Sequence, residues 1–183
     1  MKKILVVISI LTFILTGCSN EYISEDTAKG KSENQNAYEE NNVSFNSSLE
    51  FVNGLYQSPE YSINVLYVSY EDYSASTEEE VKNFSEFTDV IDSDITELEK
   101  QLAESELEDA SLVAKFEKVR NTDVINIIMS DNASYTTVIY YLPSEDGIIM
   151  IYSNISGEND IPNKELNEIL NSVYVKEAET TED

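Results

Sequence analysis

Four stretches of the chain read as strands from the placing of their apolar residues. In Tyr61 to Tyr70, YSINVLYVSY, the residues Ile63, Val65 and Tyr67 alternate with Asn64, Leu66 and Val68, and both sets are apolar enough to predict a central strand. DVINIIM (123–129), YTTVIYYL (135–142) and GIIMIYSN (147–154) are crowded with β-branched and aromatic side chains. Asp131-Asn132-Ala133-Ser134 and Pro143-Ser144-Glu145-Asp146-Gly147 separate them with turn-forming residues, which predicts an antiparallel meander. Within it Tyr140 and Tyr141 must point to opposite faces of a regular strand.

Helical spacing appears between and after these runs. Thr77 and Glu80 have the spacing of a capping box ahead of Val81 and Phe84, and Asp94 and Glu97 repeat it ahead of ITELEKQLAESELE. In that second run Ile95, Leu98 and Leu102 share one helical face. Asn163 can cap a last helix whose Leu166, Ile169, Leu170 and Val173 form an i, i+3, i+4, i+7 stripe suited to packing on a sheet. The segment 110–120 fits either period. Leu112, Phe116 and Val119 keep helical spacing, while Leu112, Ala114 and Phe116 alternate as in a strand; the strand is favoured because three strand-like runs follow it. The expected fold is α+β: a mainly antiparallel sheet of about 4–6 strands covered on one face by two or three helices. It occupies residues 49–175 as a single domain, with an acidic, solvated tail at 176–183.

The chain opens differently. Met1-Lys2-Lys3 precedes an apolar run from Ile4 to Leu15, broken only by Ser9 and Thr12, and small residues follow. Twelve helical residues reach about 18 Å, short of the hydrocarbon thickness of about 30 Å, so this is read as an export signal and not a membrane span. Leu15-Thr16-Gly17-Cys18 resembles the lipobox of bacterial lipoproteins. The resemblance implies a signal peptide at 1–17 and lipid attachment at Cys18, which becomes the first residue of the mature chain. It also explains why the chain's single cysteine stands there. Two acyl chains on one sulfur suffice for stable anchoring where one does not. The usage rich in Asn, Ile, Glu and Tyr is similar to that of low-GC Gram-positive proteins, which places the domain on the outer face of the cytoplasmic membrane. The order of strand, helical middle, meander and terminal helix resembles the PsbP/MOG1-type sandwich of small bacterial lipoproteins, without the Trp usual near that family's first strand.

From Asn20 to about Ser48 the sequence NEYISEDTAKGKSENQNAYEENNVSFNSS shows almost no apolar period and is dense in Asn, Ser and Glu. Residues 18–48 are therefore expected to be a disordered acidic tether, with an end-to-end distance of about 30 Å.

Composition narrows the chemistry. The chain holds no His, so His-based triads, His-ligated zinc and the commonest general base are excluded. No phosphate-cradling glycine motif is present, and no cofactor or metal is expected. Asp92-x-Asp94 begins like a calcium loop, but Thr96 and Glu97 stand where a third ligand and a glycine are required. Asp89, Asp92 and Asp94 are read instead as a helix N-terminus. Glu158 and Asp160 are read as a solvated loop.

The chain has 36 acidic against 11 basic residues; removing 1–17 takes Lys2 and Lys3 and leaves −27. Such a surface repels nucleic acid and anionic lipid, and attracts cationic peptides or proteins. Twelve tyrosines, with Tyr61, Tyr67, Tyr70 and Tyr73 clustered around the first strand, give a candidate ligand face. The expected function is a non-catalytic, membrane-anchored binding or accessory module, in its sharpest form an immunity-like capture of a cationic peptide. The alternative is a carboxylate-based hydrolase acting on cell-wall glycan. Radioactive palmitate supplied to cells is expected to label the protein and to be lost entirely in Cys18→Ala; label persisting in that variant refutes the anchor.

Overall fold

A nearly unbroken apolar strand, Gly147–Ser156, lies at the middle of the molecule, and the other elements are laid against its two faces. The computed structural model describes residues 22–40, 42–77, 79–104, 110–131 and 134–176. The signal segment 1–17, Cys18 and the tail beyond Lys176 lie outside them. The chain forms β1 (Asn36–Glu40), β2 (Val43–Ser47), β3 (Leu55–Gln57), β4 (Tyr61–Ser69), α1 (Tyr70–Thr77), α2 (Phe84–Glu104), β5 (Ser111–Val119), β6 (Thr122–Ser130), β7 (Tyr135–Pro143), β8 (Gly147–Ser156), α3 (Asn163–Ser172) and β9 (Tyr174–Val175). A short 3-10 helix, Glu25–Thr27, precedes β1.

The strands make two antiparallel sheets, one of six in the order β3-β4-β8-β7-β6-β5 and one of three in the order β1-β2-β9. The α+β class read from the sequence is present, and the segment at 110–120 is a strand, paired with β6 over its whole length. The helices are shared between both faces of the large sheet. Phe87, Ile91 and Ile95 of α2 pack with Leu112, Ile125, Ile127, Ile139 and Ile148 on one side. Leu166, Ile169 and Leu170 of α3 pack with Val65, Val138, Leu142, Ile149 and Ile151 on the other. Successive residues of β8 therefore feed different cores: Ile148 the α2 side, Ile149 the α3 side. Tyr140 and Tyr141 divide in the same way, as the alternation required.

The helix starts differ from the sequence reading. Thr77 closes α1, and Asp94 lies in the middle of α2. The box that begins α2 is Asn83-x-x-Glu86: Asn83 Oδ1 accepts from the Glu86 N–H at 3.0 Å, and Glu86 Oε2 accepts from the Lys82 N–H at 2.8 Å. Ser69 does the same for α1, accepting from the Asp72 N–H at 3.0 Å. Asn163 is the first residue of α3 and makes no side-chain cap.

Two tight turns fix the register. Arg120 and Asn121, with φ of 52° and 66°, form the two-residue turn between β5 and β6, the left-handed geometry that matches strand twist. The Arg120 guanidinium donates to the Val173 carbonyl, tying this turn to the end of α3. At Gly147 a Cβ would run into the Val68 carbonyl and stand 2.6 Å from the Tyr67 ring, so only glycine lets β4 and β8 close at that end.

The largest correction concerns residues 22–48, expected to be tether. They are part of the fold. The Ile23 N–H donates to Pro143 O at 2.8 Å and its side chain is 2 % exposed. Val43 and Phe45 of β2 are buried in the α3-side core, Phe45 against the rings of Tyr38 and Phe51 at 5.3 and 4.9 Å. The physical reason is that α3 covers only part of its face of the large sheet, and the β1-β2-β9 sheet covers more of it. Removing a fully buried aromatic side chain costs about 3–5 kcal/mol. Phe45→Ala is expected to lower the unfolding free energy by that amount in urea titrations; a loss below about 1 kcal/mol would mean that β2 is not part of the core.

Candidate functional site

The four tyrosines proposed as one ligand face are divided between the two cores. Tyr61 and Tyr67, on β4, lie half-buried on the α3 side. Tyr70 is 7 % exposed on the α2 side, and Tyr73 packs edge-on to Phe87 with ring centroids 5.2 Å apart. The structure therefore does not bring the four together. What it does bring together is a smaller group at one end of the large sheet. Tyr67 Oη donates to Asp146 Oδ1 at 2.7 Å, and the Tyr70 N–H donates to Asp146 O at 3.0 Å. Burial, followed by the hydrogen bond and charge of Asp146, pushes the Tyr67 hydroxyl well up from its ordinary value. Burial with the same charge pushes Tyr70 up to about 12. Tyr61, near Tyr56 (ring centroids 5.5 Å), is pushed up to about 12 by burial and then by the charge of Glu165. These phenols stay protonated at neutral pH, and that of Tyr67 serves as a hydrogen-bond donor.

The acidic groups fall into two kinds. Asp89, Asp92, Asp94 and Glu97 are exposed along the outer side of α2. Asp94 acts on its surroundings: its charge adds to burial in raising Tyr73, and to burial and Tyr73 in raising Tyr141. Glu158 and Asp160 are exposed in the loop after β8, where Asn159 Nδ2 donates to Ser156 O at 2.7 Å. Among the described residues no three Asp, Glu, Cys or His side chains gather to hold a metal ion, and no helix is long and apolar enough to cross a membrane.

Two shallow grooves adjoin, sharing Lys29, Gly30 and Ser172 in their walls. One, of about 250 Å³, lies between the segment Glu25–Gly30 and the strands, with Glu39, Ser44 and Tyr174 in its wall. Ser44 Oγ is buried there and makes no hydrogen bond among the described residues. The other, of about 470 Å³, runs from Lys29 and Gln35 to Lys164 and Asn171 of α3. Glu168 borders it and was not singled out from the sequence. Its Oε2 accepts from both the N–H and the hydroxyl of Ser48, each at 2.7 Å, and its Oε1 lies 3.6 Å from Lys164 Nζ. Burial opposes the charge of Glu168, but the Ser48 bonds, Lys164 and Gln35 outweigh it and hold the carboxyl below its ordinary value of 4.5. This residue fastens α3 to the stretch after β2.

Polar pairs also cross the strands. Asn126, 1 % exposed, donates from Nδ2 to Glu117 Oε1 at 3.0 Å, beside Tyr140, which burial and then Glu117 push up to about 12. On the opposite face Thr137 Oγ1 donates to Asn154 Oδ1 at 2.8 Å, and Asn154 Nδ2 donates to Tyr152 Oη at 2.6 Å. Strand alternation turns both groups inward; the Thr137–Asn154–Tyr152 chain is bonded along its length, while Asn126 Oδ1 is buried without a hydrogen-bond partner among the described residues. Comparison with protein-family models, with curated proteins and with solved structures found no match.

A carboxyl whose folded pKa is depressed contributes stability above its unfolded pKa, and that contribution is lost as pH falls through the folded value. Glu168→Gln is expected to cost about 1.5–3 kcal/mol at pH 7, the range for hydrogen bonds to a charged group. The difference from the parent should shrink as pH drops from 4.5 downward, measured by denaturant unfolding across pH. A difference that is constant with pH would rule out the charged role of Glu168.

Proposed function

We propose that this chain is a lipoprotein acylated on Cys18, held on the outer face of the cytoplasmic membrane, and that it binds a cationic peptide or protein without transforming it. The observation that carries the reading is the outer side of α2. Over its 21 residues α2 has seven acids (Glu86, Asp89, Asp92, Asp94, Glu97, Glu99 and Glu104) against Lys100. At 1.5 Å per residue this makes an acidic rail about 31 Å long, while the other side of the helix is fixed in the core. The mature charge of −27 extends the same field over the rest of the surface.

Magnitudes set the kind of binding. Exposed ion pairs are worth about 0.2–1 kcal/mol each and are screened beyond about 8 Å at physiological salt. Six such contacts supply no more than about 6 kcal/mol, which corresponds to tens of micromolar at best. The rail is therefore suited to fast, salt-sensitive collection of a basic partner from solution. Anchoring raises the number of such rails near the lipid, so weak individual contacts still concentrate the partner there.

Titrating the protein with a lysine-rich peptide in a calorimeter is expected to give heat at low salt and little at high salt. The combined variant Asp89→Asn, Asp92→Asn, Asp94→Asn, Glu97→Gln should bind about tenfold more weakly, as removing about 1.4 kcal/mol requires. Absence of heat at both salts, or unaltered affinity in the variant, defeats the proposal.

A further inference from the structure

The first described residues stand at one end of the large sheet. Ile23 N–H reaches Pro143 O at the close of β7, and Thr122 Oγ1, at the opening of β6, donates to Tyr22 O at 3.4 Å. The Arg120–Asn121 turn, the Ser144–Asp146 turn and the last residues of α3 lie at this same end, joined by the contact of Arg120 with the Val173 carbonyl. The loops at Ser58–Glu60 and Gly157–Ile161 lie at the other end, because Tyr61 and Tyr135 pair with Ile155 and Ser156. Strands of nine and ten residues separate the two ends by about 30 Å.

Cys18 is four residue steps from Tyr22. Covalent geometry limits that span to about 14 Å, however those residues are arranged. The burial of Ile23 leaves no further slack, where a tether running to residue 48 would have given about 30 Å and free rotation. We infer that the protein stands directly on the bilayer surface in a fixed sense, with the Arg120–Asn121 and Ser144–Asp146 turns facing lipid and the Gly157–Ile161 loop facing outward. This rests on the acylation of Cys18 proposed above. The first turn of α2 sits near the lipid end, where Phe87 meets Tyr141 at a centroid distance of 5.2 Å.

The test uses the acylated full chain in phosphatidylcholine vesicles, which carry no net charge to repel the acidic surface, with a headgroup acceptor dye. Because acylation occupies the Cys18 thiol, a donor dye attaches only at an introduced cysteine. Glu145→Cys and Glu158→Cys place it on exposed turns at the two ends. Energy transfer is expected to be severalfold greater from position 145 than from 158. Inserting a flexible Gly/Ser segment of about twenty residues after Ser19 adds a mean span of about 25 Å and should largely abolish the difference. Equal transfer in the parent, a reversed order, or a difference that survives the insertion overturns the inference while leaving the anchor intact. Failure of the full chain to stay with the vesicles, with Cys18→Ala behaving identically, removes the anchor and the orientation together.

Discussion

The structure depends on covering both faces of one apolar sheet. Ile148, Ile149, Ile151 and Ile155 of β8 are buried, but they do not share a core. A strand with apolar residues on both faces needs two covering layers, since each uncovered aliphatic side chain forfeits about 1.5–3 kcal/mol. α2 supplies one layer. α3 supplies the other only in part, and the β1-β2-β9 sheet with Ile23 extends it. The N-terminal residues are therefore required by the sheet, and a boundary at 49 would leave Val65, Leu142 and Ile149 without part of their cover.

Much of this was readable from the chain. The meander of β6, β7 and β8 follows from dense β-branched runs between turn residues, and the apolar stripe of α3 from its spacing. The hairpin of β1 and β2 was hidden because its alternation is short and diluted: Val43 and Phe45 are its buried apolar members, set among Asn, Ser and Glu. The buried Ser44 and Ser47 look solvent-facing in a composition window. The tyrosine excess was visible, but its division between two cores depends on strand parity and on Tyr70 beginning a helix. Neither is encoded in local composition. Glu168 escaped notice because its partner, Ser48, is 120 residues away, and the helical stripe beside it says only which side of α3 is buried.

The Asp146 turn shows how polar residues organise an end of the sheet. One carboxylate oxygen holds the Tyr67 hydroxyl, and its carbonyl receives the first N–H of α1, so the β7–β8 turn, the exit of β4 and the helix start are fixed relative to one another. Gly147 allows the close approach that this requires. The same end carries Tyr22. Under the acylation proposed above, any orientation set at Cys18 would reach the rest of the fold through these contacts.

The edge strand β5 has a further consequence. It is nine residues long and, among the described residues, has β6 on one side only; such edges invite pairing with a second copy. Lys115, Glu117 and Lys118 lie along it, and stripping water from them would penalise intermolecular zipping. For the acylated form proposed above, confinement to a two-dimensional lipid sheet would multiply encounters between neighbours. There the charged border of β5, together with mutual repulsion of like-charged bodies, would favour a dispersed population over clusters or fibrils.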